Sequence, residues 1–412
     1  MKTFAIATLG CKVNSVESDR YIQVMKQADM QQVDFKESAD TYIINTCAVT
    51  HAAAAKSRKK IAAAIKANPN AKIVVVGCSL AADFDNIKRF SEIDTMIFQD
   101  DKERFDEIVL KQRFLKDLSK KGQSKTRAFM KIQDGCEQFC SFCIIPIARG
   151  KEVSVNHQEL IETAKQFVQA NHQEIVLTGI HIGKYGIKND TSLLQLLQDL
   201  VKIEGLKRIR ISSIEITELH FDLIEFISQQ PKIANHLHIP LQSGSDRVLS
   251  AMNRPYTVAQ FKDKIDMIKH IIPNVAISGD VIAGFVNESE EDFVDTMATI
   301  ETIGFSFMHV FPYSKRKNTK AAQMEPHLDP SLIKERAKKL VDQSKRLKHM
   351  FYQSYLNKQV TVLFEHSTKQ GMFGHSEHYL PVVVDSSDIK PNTFHLVKIV
   401  KIQDNVCIGT LI

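Results

Sequence analysis

The chain has 412 residues, 43% of them hydrophobic, and a formal net charge of +6. That length suits two or three packed domains, at about 100–200 residues for each, and the mild basic excess permits a nucleic-acid partner without pointing to one. Seven cysteines are too few for a disulfide scaffold, and no apolar run reaches the ~18 residues of a membrane span.

The opening MKTFAIATLGC has too short an apolar run for a signal peptide. A cytoplasmic protein with no membrane partner is expected, in a reducing compartment that keeps metal-binding thiolates reduced. Thr3–Leu9, Thr41–Asn45 and Lys72–Val76 read as strands, with helices over Glu17–Ala28 and Ala52–Ala67 and a further strand near Asp94–Gln99. This βαβαβ order predicts a parallel sheet with helical crossovers. Each of the first three strands runs into a cysteine, Cys11, Cys47 and Cys78, 36 and 31 residues apart. The carboxyl ends of such strands line one crevice, so the fold would gather three thiols. Three is one short of a closed tetrahedral site. The choices are an iron–sulfur cluster with one open iron, a zinc with a further ligand, or three small buried thiols with no ligand. Nearby, Ser15 is a candidate helix cap, Asn14 and Asn45 are candidate hydrogen-bond donors around the crevice, and Lys12 is a candidate counter-charge.

From Lys125 to about Lys315 the pattern alternates. Strands are expected at Ala128–Gln133, Glu174–Leu177, Arg208–Ile211, His236–Ile239, Ala276–Ile282 and Phe305–Phe311. Helices are expected at His157–Ala170, Ser192–Leu200, Phe221–Ser228, Val258–Ile271 and Glu288–Ile303. That makes about six strand–helix units, fewer than the eight of a closed barrel, so a partial, open (βα)6 barrel is predicted with its chemistry at the carboxyl ends of the strands. The first strand is followed by Cys136, Cys140 and Cys143, a CxxxCxxC spacing. These thiolates would hold three irons of a [4Fe–4S] cube and leave the fourth open. The next strand ends bring Thr178-Gly179, then Ser212, Ser213 and Glu215, then Gln242-Ser243-Gly244, and finally Tyr313-Ser314-Lys315-Arg316. Helix caps, a surface carboxylate and a plain turn are the ordinary roles for such residues.

The stretch from Phe311 to Met350 is basic. Lys315, Arg316, Lys317 and Lys320 precede a helical run with Lys334, Arg336, Lys338, Lys339, Lys345, Arg346 and Lys348. Phosphate contacts and a solvated helix face fit this run equally. Beyond Tyr352, short strands at Val360–Phe364, Tyr379–Val384, Thr393–Lys401 and Val406–Leu411, with turns at Gly371, Gly374 and Gly409, predict a small β-barrel. It carries five Lys against five Asp and Glu, so its charge does not mark it as an RNA binder. Cys407 reads as a buried thiol. The fold class is thus α/β: an N-terminal parallel α/β domain, a partial barrel, and a small C-terminal β-barrel.

Several stretches carry a family likeness: Thr8-Leu9-Gly10-Cys11-Lys12-Val13-Asn14 with Glu17-Ser18, Asn45-Thr46-Cys47-Ala48-Val49-Thr50, and Cys143-Ile144-Ile145-Pro146 with Ala148-Arg149-Gly150. His238-Ile239-Pro240-Leu241-Gln242-Ser243-Gly244-Ser245-Asp246 and Phe311-Pro312-Tyr313-Ser314-Lys315-Arg316 add to it. The CxxxCxxC loop resembles that of the radical S-adenosylmethionine (SAM) superfamily. Over nearly its full length the chain resembles the methylthiotransferases, most of all the branch that converts N6-threonylcarbamoyladenosine (t6A) at tRNA position 37 to its 2-methylthio form. The same reaction on isopentenyladenosine-37, methylthiolation of a ribosomal-protein aspartate, and an RNA-binding protein with structural metal centres are the alternatives. The two open cysteine triplets argue against the last, since structural sites are normally closed.

The resemblance implies three domains: 1–120 with an auxiliary cluster, 121–355 as the radical SAM domain, and 356–412 as a TRAM-like RNA-binding domain. It implies two [4Fe–4S] clusters, one on Cys136, Cys140 and Cys143 that binds SAM and one on Cys11, Cys47 and Cys78 that carries the sulfur. SAM would serve both as the source of a 5′-deoxyadenosyl radical and as methyl donor. Thr178, Gly179, Ser213, Glu215 and Gln242 are the candidates to hold SAM, and Arg149 is a candidate for the cluster or the SAM carboxylate, with a surface or phosphate role as its alternative. The implied partners are tRNAs reading ANN codons, a reductant such as flavodoxin or ferredoxin, and a sulfur donor; the resemblance does not set the oligomeric state, and a monomer is the expectation. Three places depart from the family pattern. Gly77-Cys78-Ser79-Leu80-Ala81 stands for Gly-Cys-Tyr-Ala-Gln, Pro146-Ile147-Ala148-Arg149-Gly150 for Pro-Tyr-Ala-Arg-Gly, and Gly284-Phe285-Val286-Asn287-Glu288 for Gly-Phe-Pro-Gly-Glu.

Overall fold

Five strands near the N-terminus, β1 (Thr3–Thr8), β2 (Gln31–Gln32), β3 (Thr41–Thr46), β4 (Lys72–Gly77) and β5 (Ile93–Ile97), form one parallel sheet in the order β2-β1-β3-β4-β5. The structure is a computed structural model that describes residues 1–114 and 125–412. The expected domain boundary between 120 and 121 lies outside the described residues. The central strands are apolar on both faces because helices cover both. Phe4, Ile43, Val74 and Val76 pack on one side with Tyr21, Met25 and Phe105. Tyr42, Ile44, Ile73 and Val75 pack on the other with Ile61 and Ala64.

The first helix spans Lys12–Gln27 and has Cys11 at its N-cap. The expected start at Glu17 was late, and Ser15 lies inside the helix instead of capping it. Thr50 does cap the next helix, His51–Ala67, by accepting from Ala53 N–H. The edge strand β2 escaped the sequence because two glutamines carry no strand pattern.

Two short strands, β7 (Gln133–Asp134) and β8 (Val153–Ser154), bracket the CxxxCxxC loop in sequence. The barrel strands are β6 (Ala128–Lys131), β9 (Glu174–Thr178), β10 (Arg208–Ile211), β11 (His236–His238), β12 (Ala276–Ala283) and β13 (Phe307–Pro312). They form two parallel halves, β10-β9-β6 and β11-β12-β13. Bridges Ile209↔Ile233 and Ser213↔His238 connect the halves. Six strands thus follow one another in sequence order as an open barrel. Leu177, Ile211, Leu237, Ile239, Val281 and Met308 join the core beneath the helices.

The last helix of this region, Pro330–Gln353, is capped by Asp329 and buries Arg336, Ala337, Leu340, Gln343, Ser344 and Leu347 along one stripe. Beyond it, β14 (Gln359–Thr368), β15 (Gly371–Ser376), β16 (Pro381–Val384), β17 (Thr393–Gln403) and β18 (Val406–Leu411) close a barrel in the order β14-β15-β16-β18-β17. All its pairs are antiparallel except β16–β18. Its core includes Val362, Phe364, Val382, Val397 and the fully buried Cys407, whose thiol burial pushes up to about 12. Gly374 and Gly409 are strand residues here and not turns. A Cβ on Gly374 would lie 2.1 Å from Leu363 O, and one on Gly409 would lie 2.2 Å from Val397 Cγ1. Strands of a narrow barrel approach too closely there for any side chain.

The described chain separates into two compact units. One comprises residues 1–114, 133–153 and 314–323; the other comprises 125–132, 154–313 and 324–412. Both cysteine triplets fall in the first. Among the described residues, no helix is long and apolar enough to cross a membrane.

Candidate active site

At the carboxyl edge of the N-terminal sheet the register brings Thr8 opposite Asn45, and Thr46 opposite Gly77. Cys47 and Cys78 therefore leave neighbouring strands at the same level, and Cys11 follows β1 at the N-terminus of a 16-residue helix. Gly10 takes φ +97° and passes so close to Cys47 that a Cβ there would lie 2.8 Å from both its Cβ and its Sγ. Cys47 and Cys78 are buried and Cys11 is exposed. Burial raises the Cys47 and Cys78 thiols above their ordinary values; Cys78 and Cys11 add to this at Cys47, Cys11 adds to it at Cys78, and the Arg149 cation opposes it at both. Backbone bonds hold the edge, with Cys78 N–H donating to Thr46 O at 3.2 Å and Cys47 N–H to Ser57 Oγ at 3.1 Å.

Asn14 and Asn45 do hydrogen-bond around this edge. Asn14 Nδ2 donates to Leu9 O at 2.7 Å and Thr46 O at 3.0 Å. Asn45 Nδ2 donates to Asn14 O at 2.9 Å and Ser18 Oγ at 3.1 Å. Ser79, the first departure from the family pattern, is fully buried and donates from Oγ to Cys47 O at 3.2 Å.

The loop with the second triplet belongs to the same unit. Cys136, Cys140 and Cys143 form no disulfide and are of intermediate exposure. Backbone N–H groups point at two of the sulfurs, from Gln138 to Cys136 Sγ at 3.5 Å and from Ile145 to Cys143 Sγ at 3.4 Å. Phe139 turns the loop in a left-handed conformation, φ +50°, with its ring exposed. Cys136 N–H donates to Gly150 O at 3.2 Å, closing the loop's base. Three thiols with no disulfide, two of them with backbone donors, match the ligand chemistry of an iron–sulfur cube with one open iron. The N-terminal edge offers a like set.

Arg149 joins the two stretches. Its side chain is wholly buried, which removes the surface and phosphate roles. Nη1 donates to Glu17 Oε1 at 3.1 Å and to Asp134 Oδ1 at 2.8 Å, while Nη2 donates to Asn14 Oδ1. Lys102, also buried, reaches both Glu17 oxygens at 3.1 Å. Against the cost of burial, Cys78, Glu17, Asp134 and Cys11 hold the Arg149 guanidinium well above its ordinary value. Its Nε has no hydrogen-bond partner. Sequence reasoning missed the network of Lys102, Glu17, Arg149 and Asp134. Only Glu17 and Arg149 lay in recognisable motifs, and nothing in the sequence tied them together.

The candidates for SAM lie in the other unit, along the carboxyl edge of the open barrel. Thr178 ends β9, buried, with no partner for Oγ1, and Gly179 follows it. Ser213 is exposed and bridges to His238. Ser212 continues the ladder through N–H to Leu177 O at 3.2 Å and caps nothing. Glu215 pairs with the buried Arg254. Gln242 adopts φ +67°, a costly conformation for a non-glycine residue and one that clusters at functional sites.

The basic segment divides. Arg316 is buried and donates to Ala82 O at 3.3 Å. Arg336 is buried between Glu288 and Glu290 at 2.8 and 2.9 Å, and Arg346 pairs with Glu301. Arg316 and Arg336 hold the fold and are not free phosphate contacts. Lys315, Lys320, Lys334 and Lys338 stay exposed.

An open six-strand parallel barrel whose first strand leads in sequence into a CxxxCxxC loop defines a radical SAM protein. Residues 130–300 match the Radical SAM superfamily, and residues 3–99 match the family described as Uncharacterized protein family UPF0004. The chain is 39% identical to the Threonylcarbamoyladenosine tRNA methylthiotransferase MtaB of Bacillus subtilis (strain 168), over 97% of this chain and 94% of that protein. It is 34% identical to the tRNA-2-methylthio-N(6)-dimethylallyladenosine synthase of Endomicrobium trichonymphae, over 78% of each. Among solved structures it resembles the radical S-adenosylmethionine methyltransferase TsrM of Kitasatospora setae, with a TM-score of 0.57 at 10% identity over 76% of this chain and 74% of that one, a likeness of fold alone. The chain belongs to the radical SAM tRNA methylthiotransferase family.

Proposed function

We propose that the protein converts t6A at position 37 of tRNA into its 2-methylthio derivative. The observation that carries this reading is the 39% identity to the Bacillus subtilis threonylcarbamoyladenosine enzyme over 97% of the chain. The two open cysteine triplets in one compact unit support the sulfur-transfer chemistry. Cys136, Cys140 and Cys143 would hold the cluster that binds SAM, and Cys11, Cys47 and Cys78 a second [4Fe–4S] cluster. When bound, these groups and SAM supply the one-electron chemistry, the sulfur and the methyl group that replace the hydrogen on adenine C2. The chain's own part is positioning. Arg149 balances the charge of Glu17, Asp134 and the neighbouring thiols. Thr178, Gly179, Ser213, Glu215 and Gln242 hold SAM along the barrel edge. The C-terminal barrel is assigned as a TRAM-like RNA-binding domain, within a three-domain organisation of 1–120, 121–355 and 356–412. tRNAs that read ANN codons, a flavodoxin- or ferredoxin-type reductant, a sulfur donor and a cytoplasmic setting complete the reading.

Mass spectrometry of tRNA nucleosides from a strain lacking the gene tests it. Loss of the 2-methylthio group from the t6A nucleoside alone is expected. Loss from the isopentenyl nucleoside instead would overturn the assignment and favour the dimethylallyl branch.

A further inference from the structure

The inner face of β11, β12 and β13 carries a cluster that the reading above does not use. The three strands lie side by side in register, with His238 opposite Ser278 and Asp280 opposite His309. Successive strand residues face opposite ways. Leu237 and Ile239, Ile277 and Val281, and Met308 and Val310 pack into the core under the helices. His238, Asp280 and His309 therefore share the other face. His238 Nε2 lies 3.1 Å from Asp280 Oδ1, and the two imidazole centroids are 5.6 Å apart. One ligand atom from each of the three side chains falls within 4.8 Å of the other two.

The imidazole of His238 is oriented from behind. Ser278 Oγ lies 2.9 Å from His238 Nδ1 and 2.9 Å from His236 Nε2. With Nδ1 engaged, Nε2 is the nitrogen turned toward Asp280. A metal-bound imidazole is held in this way, its second nitrogen hydrogen-bonded so that tautomer and ring orientation are fixed. The His238 and Asp280 side chains are 15% and 23% exposed, sheltered yet within reach of an ion.

We propose that His238, Asp280 and His309 form a site for a first-row divalent cation. Two imidazole nitrogens and one carboxylate oxygen suit Mn2+, Fe2+ or Zn2+. Three protein ligands leave coordination positions open, and an anionic oxygen fills such a position well. On the t6A reading, on which this step rests, the occupant is the carboxylate of the threonylcarbamoyl group. That carboxylate is present in t6A and absent from isopentenyladenosine, so the cation would help to select the substrate.

The site can be tested without turnover, by electron paramagnetic resonance of Mn2+ added to anaerobic holoprotein with its clusters in the diamagnetic oxidised state. The wild type should remove one Mn2+ per chain from the free signal and release it to Zn2+. Asp280→Asn and His309→Gln should each weaken binding by at least about tenfold. His309 is exposed, so H309Q serves if D280N fails to fold, as judged by circular dichroism and iron content. Wild-type protein that retains no more Mn2+ than H309Q would overturn the site and leave a plain His–Asp ion pair. A second measurement compares Mn2+-loaded wild type and H309Q for binding of an anticodon stem–loop with t6A and one with unmodified adenosine. Weaker binding of the t6A loop alone is expected in H309Q, and equal binding would overturn the carboxylate assignment. Neither result depends on product formation, so failure of the t6A reading would show separately, as wild-type enzyme that makes no 2-methylthio product on t6A.

Discussion

Replacing Arg149 by methionine removes a buried cation of similar length and tests whether that cation organises the first unit. Glu17 would keep Lys102 at 3.1 Å. Asp134 would keep Gln99 Nε2 at 3.2 Å, and its side chain is 14% exposed. Deleting one member of a buried ion pair costs about 3–5 kcal/mol; with both carboxylates partly compensated, the low end, about 3 kcal/mol, is expected. At about 2–4 °C per kcal/mol for a unit of some 150 residues, the melting temperature should fall by roughly 6–12 °C. Arg149 is also coupled electrostatically to Cys78 and Cys11, so on the two-cluster proposal R149M should lose the proposed N-terminal cluster and keep the loop cluster, taking iron from about eight to about four atoms per chain. Anaerobic calorimetry and iron analysis read both effects. R149K should fall between, because an ammonium cannot span the acceptors that the planar guanidinium fork reaches. An R149M protein that melts within about 1 °C of wild type with full iron would refute the reasoning.

Two further predictions concern other parts of the chain. Burial alone would raise the Glu174 carboxyl, but Arg210, then Arg208 and Arg127, pull it down to about 2 from an ordinary 4.5. A carboxyl lowered on folding contributes stability that is full above about 4.5 and is lost as pH falls toward about 2; the gap corresponds to about 3 kcal/mol. Burial pulls Arg208 below its ordinary value in spite of Glu174, which offsets part of that gain. Glu174→Gln should therefore lower stability at pH 7 and flatten its decline between pH 4.5 and 2 in acid denaturation, and an unchanged acid limb would count against the assignment. Gly10→Ala would place a Cβ 2.8 Å from Cys47 Cβ and Sγ at φ +97°, so Cys47 must shift. On the two-cluster proposal, about half the iron should be lost while the loop cluster survives, and a full complement of iron would show that Gly10 does not set the position of Cys47.

Much of the scaffold was legible because its signals are local. Strands β3 and β4 are runs of apolar residues that stop at Thr46-Cys47 and Gly77-Cys78, and the barrel strands alternate with helices whose apolar residues recur at helical spacing. What escaped was set by distance or by crowding. Arg149 meets Glu17 and Asn14 across 132 and 135 residues, a pairing that no motif encodes. From sequence it is a candidate for the cluster or the SAM carboxylate, with a surface or phosphate role as the alternative. Arg336 and Arg316 sit in a run that reads as basic surface, yet each is buried against acceptors from other elements. Gly374 reads as a turn because glycine usually marks one, whereas here the neighbouring strand leaves no room for a side chain.

The departures from the family pattern follow the same rule. Asn287 stands where glycine is usual, and it keeps the left-handed turn at φ +56° while its N–H donates to Pro326 O at 3.0 Å. Asparagine is among the few residues that adopt this conformation readily. Ser79 replaces an aromatic residue and tightens the backbone of Cys47. Ile147 loses a phenol at a position that is 44% exposed, where a hydroxyl would find water in any case. The asparagine preserves a backbone conformation and the serine supports the backbone of Cys47. The two cysteine sets are therefore held by backbone geometry and by a buried cation more than by the side chains beside them. That explains how the local sequence can vary while three thiols remain gathered at the sheet edge and three in the loop.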